Sequence, residues 1–133
     1  DASAKAQVLP SVPGPVLVVD GVSDGVLFAS PIYFWGFTAQ TKLLIDRCFS
    51  LVTNYHKPGH TSLLEGKRLG LLVTGADPFD ENAEGMFTAF DRIVDYYLAR
   101  KSGELYVGEC SAPAELPEKV NKNAFELARS LVG

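Results

Sequence analysis

The segment Ser30-Pro31-Ile32-Tyr33-Phe34-Trp35-Gly36-Phe37 concentrates the unusual side chains of this sequence. Four aromatic residues fall within the five positions 33–37. A loop of that composition has no sheet face on which to bury every ring, and aromatic faces there can stack on a flat conjugated ligand. The residues alone leave a second account equally open, in which the rings cover the end of the core or lie in a subunit interface. A second segment, Thr74-Gly75-Ala76-Asp77-Pro78-Phe79, carries a glycine that lets the backbone approach a ligand closely. Its amides can bond carbonyl groups, although taken alone it reads better as an ordinary strand-to-helix turn.

Other reactive residue types have plainer readings. His56 and His60 are four apart in a Pro/Gly loop, with no cysteine or acid cluster close by, so a solvated loop is favoured over a metal site. Cys48 lies on an apolar helical stripe and reads as a core cysteine. Cys110 follows a strand end, where a reactive thiol is conceivable, but no base is placed beside it. Two distant cysteines cannot supply a clustered iron–sulfur ligand set. Asp77, Asp80, Glu81 and Glu84 complement a helix dipole.

The elements that must position these residues follow from the hydrophobic pattern. Residues 1–15 read as an irregular arm rich in proline. Val16–Val19 and Gly25–Ser30 are short, continuous apolar runs stopped by Asp20-Gly21 and Pro31, and read as buried strands. Continuous runs suggest strands covered on both faces. Thr38 is a plausible N-cap for a helix running to Val52, with Leu44, Cys48, Leu51 and Val52 on one stripe. Residues 54–66 form a loop, and Arg68–Thr74 is a strong strand. Ala83–Lys101 is expected as the longest helix, ending in Arg100 and Lys101 and stopped by Gly103. Glu104–Gly108 is a strand, and a last helix runs from about Leu116 to Val132, striped by Leu116, Val120, Ala124, Leu127 or Ala128, and Leu131. From Gly25 onward this is three β–α units, which implies a parallel sheet with helices on its faces and right-handed connections. Ligands in such sheets bind beyond the carboxyl ends of the strands, after Ser30, Thr74 and Gly108.

Composition narrows the class. The chain has 133 residues, 47% hydrophobic and 21% charged, which excludes low-complexity and disordered classes. A net charge of -4 argues against a nucleic-acid binder. No apolar run approaches the ~20 residues that span a bilayer, and residues 1–7 lack the order of a signal peptide. Two cysteines fit a reduced, cytoplasmic protein.

Residues 24–47, from Asp24 through Ser30-Pro31-Ile32-Tyr33-Phe34-Trp35-Gly36-Phe37-Thr38-Ala39-Gln40-Thr41-Lys42 to Ile45-Asp46-Arg47, resemble the NADPH-dependent FMN reductase family. That family shares a flavodoxin-like fold with the iron–sulfur flavoproteins. Gly66-Lys67-Arg68 ahead of a strand ending Val73-Thr74-Gly75 also fits, and the resemblance covers roughly residues 24–132. It implies an α/β, flavodoxin-like open parallel sheet with helices on both faces. Pro31, Ile32, Tyr33, Phe34, Trp35 and Gly36 match the loop that wraps the isoalloxazine ring of FMN. Thr74 and Gly75, with Ala76 and Asp77 beyond them, match the loop on the ring's other edge. Gln40, Lys42, Asp46 and Arg47 match positions of helix and interface structure. The implied activity passes hydride from NAD(P)H through bound FMN to a small acceptor such as a flavin or quinone, with no metal and no assigned acid–base side chain. A homo-oligomer, dimer or tetramer, is implied as well.

The sequence departs from that family at its start. No Ser/Thr/Gly/Asn-rich phosphate loop leads into a helix, because Ser11-Val12-Pro13-Gly14-Pro15 contains two residues without N–H donors. Residues 1–23 are also too few for the two β–α units that should precede residue 24. The whole is expected to be one domain with an atypical arm at 1–23 and an incomplete N-terminal region. A piece of a longer protein is favoured over a second chain or a natural remnant. Two further functional readings follow: a non-catalytic flavodoxin-like interaction module, and a flavodoxin-type electron carrier.

Overall fold

The computed structural model describes residues 24–109 and 116–133. The expected strand at Val16–Val19 and the residue Cys110 lie outside them. In chain order the elements are strands β1 (Gly25–Tyr33) and β2 (Gly36–Phe37), helix α1 (Ala39–Arg47), the short strands β3 (Val52–Thr53) and β4 (Thr61–Ser62), and strand β5 (Arg68–Thr74). Helix α2 (Glu84–Tyr96), strand β6 (Arg100–Val107) and helix α3 (Glu118–Val132) complete the order. The main sheet runs β2-β1-β5-β6. β1 and β5 are parallel from Gly25↔Arg68 to Pro31↔Thr74, and β5 and β6 are parallel from Arg68↔Arg100 to Thr74↔Val107.

Parallel β1 and β5 bury one face completely: Val26, Phe28 and Ser30 lie beside Leu69, Leu71 and Val73. Helices α1 and α2 cover that face through Ile45, Met86, Phe87, Phe90 and Val94, with the Phe28 and Phe90 rings edge to face at 6.3 Å. The opposite face, carrying Leu27, Ala29 and Leu72, is half-buried. α3 packs there because Gly25, Gly70 and Gly103 bring no side chain between strand and helix. A Cβ on Gly25 would stand 2.9 Å from the Leu131 carbonyl oxygen, and one on Gly103 2.9 Å from Leu127 Cδ1. Both faces of the parallel sheet therefore carry helices, as expected for a flavodoxin-like sheet.

The boundaries differ from expectation where local stop signals are unusual. The helix expected over Thr38–Val52 ends at Arg47; a tighter turn over Cys48–Leu51 follows, and Val52 enters β3. Its buried residues are Thr41, Ile45 and Cys48, with Leu44 only half-buried. The loop expected over 54–66 contains half of the β3–β4 hairpin. The helix expected to reach Lys101 ends at Tyr96, so Arg100 and Lys101 open β6 instead of closing α2. The stop is a Schellman turn: Ala99 N–H donates to the Val94 carbonyl at 3.0 Å and Leu98 N–H to that of Asp95 at 3.1 Å. Leu98 takes the left-handed conformation (φ 53) that glycine usually fills, so the sequence hides the stop. Gly103 then falls inside β6, which starts four residues before the expected Glu104. α3 begins at Glu118 after Pro117. No helix among the described residues is long and apolar enough to cross a membrane.

Candidate functional site

β1 turns back into β2 through a two-residue hairpin, with Tyr33 paired to Gly36. Its central residues, Phe34 and Trp35, have φ of 49° and 62°. Positive φ at both central positions is the geometry normally given to Asn-Gly, because it matches the twist of the strands. Bulky side chains there cost about 1–2 kcal/mol each relative to right-handed backbone. The rings are not held there by burial: Phe34 is 94% exposed, Trp35 66% and Tyr33 65%. The Phe34 and Trp35 rings meet edge to face at 6.3 Å. Strain of this kind, kept without a core contact, points to a role outside folding.

Ser30 anchors the base of the hairpin. It is 4% exposed; its hydroxyl donates to the Pro31 carbonyl at 2.8 Å and accepts from Thr38 N–H at 3.1 Å. Thr38 in turn caps α1, its Oγ1 accepting from Thr41 N–H at 3.3 Å. The strand end, the returning strand and the helix start are thus tied at one buried hydroxyl. Gln40 is exposed, and Lys42 and Asp46 form a surface pair at 2.5 Å.

The second loop lies against the first. Pro31 and Thr74 are register partners, and a Cβ on Gly75 would stand 2.7 Å from Ile32 Cγ2 and closer still to the Tyr106 hydroxyl. Only glycine fits between those two side chains. Gly75 N–H donates to the Val107 carbonyl at 3.0 Å. Ala76 and Asp77 N–H have no partner among the described residues, and Pro78 has none to give. The Tyr106 hydroxyl donates to the Asp77 carbonyl at 2.6 Å and accepts from Asn82 Nδ2 at 2.9 Å. The same Asn82 amide donates to the Pro78 carbonyl at 3.1 Å. Burial pushes the Tyr106 phenol above its ordinary pKa, and the carboxylates of Asp77 and Glu109 push the same way. Glu84 closes the turn by accepting from Glu81 and Asn82 N–H, and backbone donors, its own amide first, hold its carboxyl below the usual range.

The fold therefore gathers the expected residues at one end of the sheet, beyond the strands' carboxyl ends. Pro31, Ile32 and Gly75 form a half-buried floor with the exposed Thr74 at its rim; Tyr33, Phe34 and Trp35 project at the hairpin that Gly36 closes. Ser30, Asn82 and Tyr106 escaped the sequence argument. Ser30 reads from the sequence as a strand end leading into the aromatic segment, with no sign of the bonds its hydroxyl makes, and the bond from Tyr106 to Asp77 joins positions 29 apart.

A family model described as Flavodoxin-like fold matches residues 22–103. The chain belongs to this flavodoxin-like family. Three solved structures share the flavodoxin-like chain's fold. The Trp repressor binding protein from Bacillus subtilis superposes with a TM-score of 0.58 at 18% identity, over 84% of this chain and 63% of its own. An NADH:FMN oxidoreductase in its apo form gives 0.59 and 18%, over 84% and 54%. An NADPH-quinone reductase from P.pentosaceus gives 0.55 and 20%, over 81% and 65%. The flavodoxin-like chain thus spans between 54% and 65% of the length of these structures. No curated protein matches its sequence.

The remaining expectations concern cysteine and histidine. Cys48 is 6% exposed and burial pushes its thiol up, so it packs as a core residue. The His56 ring lies tilted against that of Tyr55 at 3.9 Å, and the His60 ring meets it edge to face at 5.4 Å. Among the described residues no group of three or more His, Cys, Asp or Glu is placed to hold a metal ion.

Proposed function

We propose that this chain forms the flavin-ring side of an FMN-dependent oxidoreductase that takes hydride from NAD(P)H and passes electrons to a small acceptor such as a flavin or quinone. The observation that carries the reading is the pairing of two loops at the carboxyl end of a flavodoxin-like sheet. One presents three exposed rings at a strained turn, and the other has two backbone donors without a partner among the described residues. These residues fit a planar group edged with carbonyls: rings to stack on, Gly75 to admit close approach, and Ala76 and Asp77 N–H to bond the edge. FMN, when bound, supplies the hydride chemistry. Tyr33, Phe34 and Trp35 would cover its ring and exclude water, and Pro31, Ile32 and Thr74 would set its depth. Two named neighbours, an NADH:FMN oxidoreductase and an NADPH-quinone reductase, support that class.

Titration of the purified protein with FMN, followed by flavin fluorescence, tests the reading directly. Saturable quenching, then bleaching of the flavin on mixing with NADH or NADPH, is the expected outcome. Protein that takes up no flavin overturns it. The 94% exposure of Phe34 also favours a second reading, an interaction module that docks a partner through these rings. In that case Phe34→Ala with Trp35→Ala weakens assembly and no flavin absorbance is ever seen. A flavodoxin-type carrier would bind FMN but would not be bleached by either nicotinamide. A cytoplasmic, homo-oligomeric protein is part of the same proposal, and sedimentation tests the oligomer.

A further inference from the structure

We propose that Tyr106 is a positioning residue for this site, its phenol setting the backbone of residues 75–78 so that the Ala76 and Asp77 N–H groups stay free for the ligand. The inference rests on the FMN reading above and names a residue outside the two loops that carry it. Residues 76–78 make no backbone–backbone hydrogen bond among the described residues. Their ties are two side-chain bonds, Tyr106 to the Asp77 carbonyl at 2.6 Å and Asn82 to the Pro78 carbonyl at 3.1 Å. The two ties are themselves joined, since Asn82 Nδ2 also donates to the Tyr106 hydroxyl at 2.9 Å. One oxygen atom, on a strand of the main sheet, therefore governs the loop.

Sterics agree with the hydrogen bonds. A Cβ on Gly75 would collide with the Tyr106 hydroxyl, and one on Gly108 would stand 2.7 Å from Tyr106 Cε1 and 2.6 Å from the Asp77 carbonyl. The two glycines clear the space in which the phenol reaches the loop. Phe79 and Phe87 brace the ring edge to face, at 5.6 and 6.4 Å. With the Asp77 and Pro78 carbonyls turned to protein donors, the amides of Ala76 and Asp77, unpartnered among the described residues, are the donors the loop offers to a ligand carbonyl or ring nitrogen. A donor pair held in place before binding spares the ligand the entropy of ordering the loop.

Tyr106→Phe removes the hydroxyl and keeps the ring. Two measurements on the whole protein decide the matter: amide hydrogen exchange over residues 75–82 without ligand, and the FMN dissociation constant by fluorescence titration. Tyr97→Phe is the control, because Tyr97 also loses a buried phenol bond, to the Ile45 carbonyl, away from the loop. Tyr106→Phe is expected to speed exchange over 75–82 several-fold and to weaken FMN about three- to tenfold, as the loss of one hydrogen bond would; Tyr97→Phe does neither. Wild-type and Tyr106→Phe protein that bind FMN equally, with equal loop exchange, overturn the inference alone. Wild-type protein that binds no FMN overturns the proposed function and this inference with it. If Tyr106→Phe does not fold, Asn82→Ala tests the same oxygen from its other side and should weaken FMN at least twofold; unchanged affinity there overturns the inference.

Discussion

Phe34 and Trp35 occupy a turn whose backbone asks for Asn-Gly, and this opposition of ring and backbone makes the hairpin testable. Replacing Phe34→Asn and Trp35→Gly together relieves the strain at both positions and removes two exposed rings. Urea unfolding should show a gain of about 1–2 kcal/mol for each position relieved, without ligand. FMN affinity should fall in the same variant, so stability and binding move in opposite directions. A variant that loses both has rings that support the fold. Glu84 offers a second test at this scale. Backbone donors hold its carboxyl below its unfolded value, so the ionised form stabilises the turn above that value and the contribution is lost as pH falls through the folded one. Glu84→Gln should therefore melt below wild type at pH 7, and the two melting curves should converge only as pH falls below the ordinary glutamate value of about 4.3. A gap that stays constant as pH falls means that the carboxylate's charge is not what matters.

Between elements, the close approach of α3 to the sheet is set by glycines whose neighbours differ in how far they can yield. A Cβ on Gly25 meets two backbone oxygens, of Leu131 at 2.9 Å and of Arg68 at 3.4 Å. A Cβ on Gly70 meets only side-chain tips, of Leu131 and Leu27, at 3.2–3.3 Å. Backbone within a helix and a strand cannot move aside, whereas a leucine tip can change rotamer. Gly25→Ala should thus cost about 1–3 kcal/mol in urea unfolding and Gly70→Ala clearly less; the reverse order would mean that α3 shifts as a body. The same contrast explains what could be read in advance. β5 was legible from Arg68 to Thr74 because its run of buried apolar residues carries its own stop. Thr38 was legible as a cap because hydroxyl capping is local. The end of α2 was not, since Leu98 fills a glycine position, and neither was Gly103, whose purpose is visible only once Leu127 packs against it. The loop residues of the candidate site came from a motif, while Tyr106 and Asn82 depend on contacts between a strand and a distant loop that no local pattern encodes.

Across the whole molecule, charge is divided along the strands. Lys67, Arg68, Arg100 and Lys101 stand where β5 and β6 begin, and Asp77, Asp80, Glu81, Glu84 and Glu109 stand beyond the strands' carboxyl ends. The segments that build the candidate site, residues 24–41, 74–91 and 106–109, contain no Lys, Arg or His. On the proposed function, an anionic nicotinamide approaching this end would meet a field of its own sign from these segments, superimposed on a net charge of -4. The field reaches ~30 Å at 0.01 M salt and only ~8 Å at 0.15 M. The second-order rate of flavin reduction by NADPH should therefore rise with added salt, opposite to an enzyme that steers its substrate with basic residues. NADH lacks the extra phosphate, worth about -1.5 to -2 charges. It should be the faster donor at low salt and the less salt-sensitive one, so the two rates should converge as salt screens the acidic rim. Stopped-flow reduction at the two ionic strengths measures both slopes. An NADPH rate that falls with salt would mean that basic groups outside these three segments face the site, because the segments themselves hold none to attract it.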